Sequence, residues 1–119
     1  MKDDNIIQQK SFAFGIRIIK AYKYLRSEKQ EFVLSKQMLR AGTSIGANIE
    51  ESIGGQSKAD FLSKLSIAYK DARETNYWLK LLKATEFLTP EMADSFLADS
   101  DAICRLIGKI LITMKRRNS

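Results

Sequence analysis

Phe61 to Leu82 reads FLSKLSIAYKDARETNYWLKLL. Within it, Phe61, Leu65, Ala68, Ala72, Thr75, Leu79 and Leu82 recur at alternating spacings of four and three. On a helix that spacing returns side chains to one side, so the segment predicts an amphipathic rod. The seam holds over three heptads, which suits helices packed at shallow crossing angles. Its back carries Ile67, Asp71, Glu74, Trp78 and Leu81, too apolar a mixture for a face left wholly in water. Ser57, with Asp60 three residues on, predicts a capped start.

The same periodicity extends outward in both directions. Upstream, Met38, Ile45, Ile49 and Ile53 line one face of a second predicted helix. Ser35 stands where its cap is expected, and Gly54 and Gly55 where a left-handed stop is expected. Earlier still, a helix is predicted from about Ile6 to Ser27, with Ile7, Phe14, Ile18, Ala21, Tyr22 and Leu25 on one face. Phe12, Ile16 and Ile19 form another apolar stripe on roughly the opposite side. Downstream, Thr89 and Pro90 predict the cap and first turn of a fourth helix. Met92, Phe96, Ile103, Leu106, Ile110 and Met114 form its stripe, with acidic residues early and basic residues late, as the helix dipole favours. Four helices joined by short connections predict an all-α, antiparallel, up-down-up-down four-helix bundle, one domain over residues 1–119.

Composition excludes several classes. The 119 residues contain no histidine, one cysteine (Cys104) and one proline. Without histidine, a Ser-His-Asp or Cys-His site and the Glu-x-x-His pairs of di-iron bundles cannot be built. The chemistry that remains would need carboxylates or lysines, and an enzyme built on them is the third alternative. The expectation is a protein without enzymatic activity, metal or cofactor. Glu50, Glu51, Asp71 and Glu74 read as ion-pair partners of Arg40, Lys64, Lys70 or Arg73. Helix-internal pairs are expected between Lys70 and Glu74 and between Asp60 and Lys64. No apolar run approaches the ~20 residues a membrane crossing needs. The polar N-terminus and the single cysteine fit a cytoplasmic protein with no membrane partner.

Gly42 and Gly46 lie within LRAGTSIGANIEES, Leu39 to Ser52. A phosphate-binding loop needs different spacing and a Gly-Lys-Ser/Thr ending. A membrane-helix crossing is opposed by Arg40, Glu50 and Glu51. Close packing in water remains. Two mid-helix glycines cost roughly 2 kcal/mol against alanine, so this edge is expected to receive a helix or an aromatic ring, within the protomer or between subunits.

The run from Glu31 to Leu82, EFVLSKQMLRAGTSIGANIEESIGGQSKADFLSKLSIAYKDARETNYWLKLL, resembles the bacterial four-helix-bundle family of 23S ribosomal RNA intervening-sequence proteins. The flanking helices resemble it with lower specificity. The resemblance implies a left-handed four-helix protomer that assembles as a ring-like homopentamer. It also implies kinship with the accessory protein of diversity-generating retroelements, a pentameric barrel that binds a reverse transcriptase and nucleic acid.

Net charge is +6, which favours acidic partners. Lys10, Arg17 and Lys20 with Tyr24 form one candidate nucleic-acid surface on the first helix, and Lys115, Arg116 and Arg117 form another at the C-terminus. The first joins charge to an aromatic platform, which suits a single strand or RNA. Gly42, Gly46, Phe12, Ile16, Ile19 and Trp78 are the candidate packing and assembly residues. The expected role is a non-catalytic homo-oligomeric scaffold binding RNA or DNA, with or without a protein partner. A protein-binding adaptor that makes no nucleic-acid contact is the alternative.

Overall fold

A computed structural model describes residues 2–117, which form α1 (Lys2–Lys29), α2 (Leu34–Ile53), α3 (Lys58–Ala84) and α4 (Pro90–Arg116). Two starts follow the expected chemistry. Ser57 Oγ accepts from the Asp60 N–H at 3.1 Å, and Thr89 Oγ accepts from the Met92 N–H at 3.2 Å. Each satisfies a backbone donor that the first helical turn leaves without a partner.

The α1–α2 connection departs from expectation. α2 begins at Leu34, one residue before Ser35, and Ser35 is wholly buried in its first turn. The cap is Glu31. Its carboxylate accepts from the N–H groups of Ser35 at 2.6 Å, Leu34 at 3.0 Å and Val33 at 3.2 Å. Ser35 Oγ returns a bond to the Glu31 carbonyl at 2.9 Å. Gly54 and Gly55 end α2, but no glycine takes a positive φ, with Gly54 at −83°. Gly55 is instead crowded, since a Cβ there would meet the Ser52 carbonyl at 3.1 Å and Asp60 Cβ at 3.2 Å. The left-handed residues are Gln30, φ 54°, and Glu86, φ 65°, just beyond α1 and α3.

Around the core, α1 packs on α2, α2 on α3, α3 on α4 and α4 back on α1. The molecule measures 49 × 21 × 20 Å, and a 27-residue helix spans about 40 Å, so the helices run along one long axis. Ile7, Phe14, Ile18, Leu25, Met38, Ile45, Ile49, Leu65, Leu79, Leu82, Ile103 and Ile107 are buried between them. Each contributes on the order of 1.5–3 kcal/mol through burial. The heptad seam of α3 faces inward from Leu65 to Leu82, with Phe61 half-buried at its end.

Polar side chains join the layers. Asn48 Nδ2 donates to Asp71 at 3.1 Å between α2 and α3, and Asn76 Nδ2 donates to Asp101 at 2.9 Å between α3 and α4. Arg40 pairs with Glu74, and Lys64 meets Glu51 at 3.2 Å. Both pairs cross between helices and join partners expected from the sequence, but Glu74 and Lys64 meet these residues rather than Lys70 and Asp60 of their own helix.

Candidate functional site

The glycine edge of α2 lies against α1. A Cβ on Gly42 would stand 2.9 Å from Ile18 Cγ1 and Cγ2, too close for carbon atoms. Gly42 is buried, and its missing side chain lets α1 approach. The expected neighbour is therefore a helix of the same protomer, and the inserted side chain is aliphatic rather than aromatic. Gly46 is looser, because a Cβ there would meet the Ser11 carbonyl at an ordinary 3.5 Å.

Beside Gly46 the two helices leave an apolar groove of about 250 Å³. Phe12, Gly15, Ile16 and Ile19 of α1 line one wall, and Thr43, Gly46 and Ala47 of α2 line the other. Gln8 Nε2 donates to Glu50 at 2.7 Å across one end. Phe12 is 71% exposed, Ile16 43% and Ile19 41%. The extra stripe read from the sequence is thus an uncovered surface. Gly15 was not singled out by sequence. A Cβ there meets nothing within 4 Å, so neither packing nor backbone geometry within the protomer calls for glycine.

Trp78 stands apart from this groove, whose lining comes from α1 and α2 alone. Its Nε1 donates to Glu74 at 3.0 Å, and its ring meets Tyr77 edge-on at 5.2 Å. The bond from Trp78 leads in lowering the Glu74 pKa, and Arg40 adds to it. Burial, then the nearby Glu74 charge, raises that of Asp71. The four carboxylates considered together in the sequence have separate partners: Glu50 has Gln8, Glu51 has Lys64, Asp71 has Asn48 and Glu74 has Arg40 and Trp78.

The α1 basic patch divides. Lys10 and Lys20 are exposed, whereas Tyr24 is half-buried against the core. Arg17 turns toward α4. Its Nη1 donates to Asp99 at 2.5 Å, its Nη2 to Ser95 Oγ at 2.8 Å, and its guanidinium lies 4.3 Å from the centre of the Phe96 ring. Those bonds clasp α1 to α4 and take Arg17 out of an open cationic platform. Lys115 and Arg116 end α4 and Arg117 caps it, all exposed.

Cys104 is half-buried between α3 and α4, where burial pushes its thiol pKa up despite a hydrogen bond from Tyr69. A thiol so protonated is a poor nucleophile. Among the described residues no cluster of three or more metal-ligating side chains occurs, and no helix is long and apolar enough to cross a membrane.

The profile of one protein family, 23S rRNA-intervening sequence protein, matches residues 3–109. A crystal structure from Bacteroides thetaiotaomicron VPI-5482, described as a protein of unknown function from the S23 ribosomal protein family, shares the fold with a TM-score of 0.91. The two chains are 51% identical, over 92% of this chain and 97% of that one. No curated protein matches.

Proposed function

Because the chain belongs to the 23S rRNA-intervening sequence protein family, we propose that it is a non-catalytic scaffold that assembles with copies of itself and binds RNA. The protomer is read as a left-handed up-down-up-down bundle in the cytoplasm, and the assembly as a ring-like homopentamer. The number five comes from the family resemblance.

The observation that carries self-assembly is the uncovered groove around Gly15. Phe12, Ile16 and Ile19 leave apolar surface in water, and covering each side chain fully would contribute about 1.5–3 kcal/mol. Glycine in a helix interior costs roughly 0.5–1 kcal/mol against alanine, and nothing in the protomer fills the space above Gly15. A helix from another copy accounts for both. Net charge supports the RNA half, because five copies of +6 sum to about +30 on one particle. Exposed Tyr77 and Ile67 on α3, away from the groove, favour a second reading in which a protein partner docks there without RNA.

Light scattering on the purified chain tests the assembly. Wild type is expected as a multimer, and a variant carrying Phe12→Lys and Ile16→Lys as a folded monomer. A wild-type monomer at high concentration overturns the reading. Gel shifts with RNA across salt separate the scaffold from the adaptor.

A further inference from the structure

We infer that the outer face of α3 and α4 holds single-stranded RNA, with a base against Tyr69 over Gly108 and phosphates on Arg73, Arg105, Lys109 and Arg116. This rests on the RNA-binding reading above and gives it a site. Arg105, Lys109, Ile112 and Arg116 follow at spacings of four, three and four, which puts them on one face of α4. All four are exposed, and with Tyr69 and Gly108 they line a groove of about 490 Å³. Arg73, one turn from Tyr69, is exposed and close enough to influence the Cys104 thiol at the groove edge. The acid that also influences that thiol is Asp101, half-buried and accepting from Asn76 at 2.9 Å. Arg73, Arg105, Lys109 and Arg116 thus gather on one face, and Asp101, the acid beside Cys104, is already engaged by Asn76, a setting that favours a polyanion.

Gly108 gives the groove its shape. Glycine inside a helix weakens it relative to alanine. A Cβ at this position would make an ordinary 3.6 Å contact with the Tyr69 ring, so the fold admits a methyl group here. The missing side chain leaves the ring open. With only a hydrogen at Gly108, the groove beside the Tyr69 ring is open to one flat base, and a duplex, whose bases are already paired and stacked, has none to offer it. An unstacked base beside an aromatic ring, with cations along the backbone, is how single strands are held. An acidic peptide would satisfy the cations and leave the slot unused.

The test is fluorescence anisotropy of a labelled single-stranded RNA of mixed sequence, titrated with the full chain between about 50 and 200 mM salt. Gly108→Leu is expected to weaken binding about tenfold through lost stacking while thermal stability does not fall. Arg105→Ala with Lys109→Ala is expected to flatten the log–log salt slope by about 1.4, at roughly 0.7 per phosphate contact. Lys10→Ala with Lys20→Ala is expected to change neither. If wild type binds but the groove variants bind equally well, the inference is overturned and the RNA-binding reading stands. Equal binding of double-stranded RNA, unaffected by Gly108→Leu, also overturns it. A wild type that binds no RNA at any salt overturns both.

Discussion

Glu31 is the acid on which the α1–α2 junction depends, and its removal has a calculable cost. It is 7% exposed, and its two carboxylate oxygens accept from three consecutive backbone N–H groups. Of those donors, Val33 is on an exposed residue where water can replace the carboxylate, and Leu34 is half-buried. Ser35 is wholly buried, so Glu31→Ala strands its N–H at a cost of about 1–3 kcal/mol. Loss of the cap as a whole is worth about 0.5–2 kcal/mol, and the two costs overlap. We expect Glu31→Ala to lose about 2 kcal/mol at neutral pH, measured by urea unfolding at fixed protein concentration.

Acid supplies an independent check. Burial pushes the Glu31 pKa up, but the N–H bonds from Ser35, Leu34 and Val33 outweigh it and hold the folded value below the ordinary range. A depressed folded pKa gives stability that is fully present above the unfolded value, about 4.3, and lost as pH falls through the folded value. The gap between wild type and Glu31→Ala is therefore expected to be constant from pH 7 to about 5 and to narrow in acid below that. A variant within about 0.5 kcal/mol of wild type at pH 7, or a gap that does not narrow in acid, would refute the capping account.

Other expectations follow from single contacts. Gly42→Ala forces a Cβ against Ile18, and overpacking of about 1–3 kcal/mol should exceed the gain in helix propensity, whereas Gly46→Ala should be neutral or stabilising; urea midpoints of the pair decide it. Gln30→Gly should stabilise by up to about 1 kcal/mol, because Gln30 sits at φ 54° where side chains are strained, and a lower melting temperature would contradict that. Asp71→Asn should stabilise the protein at pH 7, since burial and Glu74 raise the Asp71 pKa and disfavour its charged form. The advantage should vanish below the unfolded aspartate pKa of about 3.9, where wild type is also neutral, and unfolding curves at pH 3 and 7 test this. Arg17→Ala should cost about 1–2 kcal/mol through the lost clasp to Asp99 and Ser95, and should leave the salt slope of RNA binding unchanged.

Periodicity and caps were legible in the residues because they are local. The α3 seam, the caps at Ser57 and Thr89 and the uncovered Phe12–Ile19 stripe each follow from spacings of a few positions. Ser35 was misleading because a serine before an apolar run is the usual cap, and Glu31 fills the role from outside the helix. A glutamate followed by Phe-Val-Leu gives little sign of it. Gln30 and Glu86 adopt the left-handed turns with no glycine to mark them. Arg17 looked like a free cation because its partners, Ser95 and Asp99, are some eighty residues away. The Tyr69–Arg105–Lys109–Arg116 groove had a signal, four-three-four spacing on α4, but the apolar stripe of the same helix obscured it. Its second wall belongs to α3, which only the tertiary fold supplies.

The glycines at 42 and 15 bear on how this chain drifts. Any base change that alters a glycine codon to another residue adds at least a Cβ. At Gly42 every such change meets Ile18 and costs stability, so the position resists substitution whatever the chain binds. At Gly15 the lone protomer has room for a new side chain. Saturation mutagenesis selected for folding alone should therefore fill position 15 freely and favour glycine at position 42. If the proposed assembly forms, selection for it should close position 15 as well, and the difference between the two maps would trace the surface that one copy offers the next.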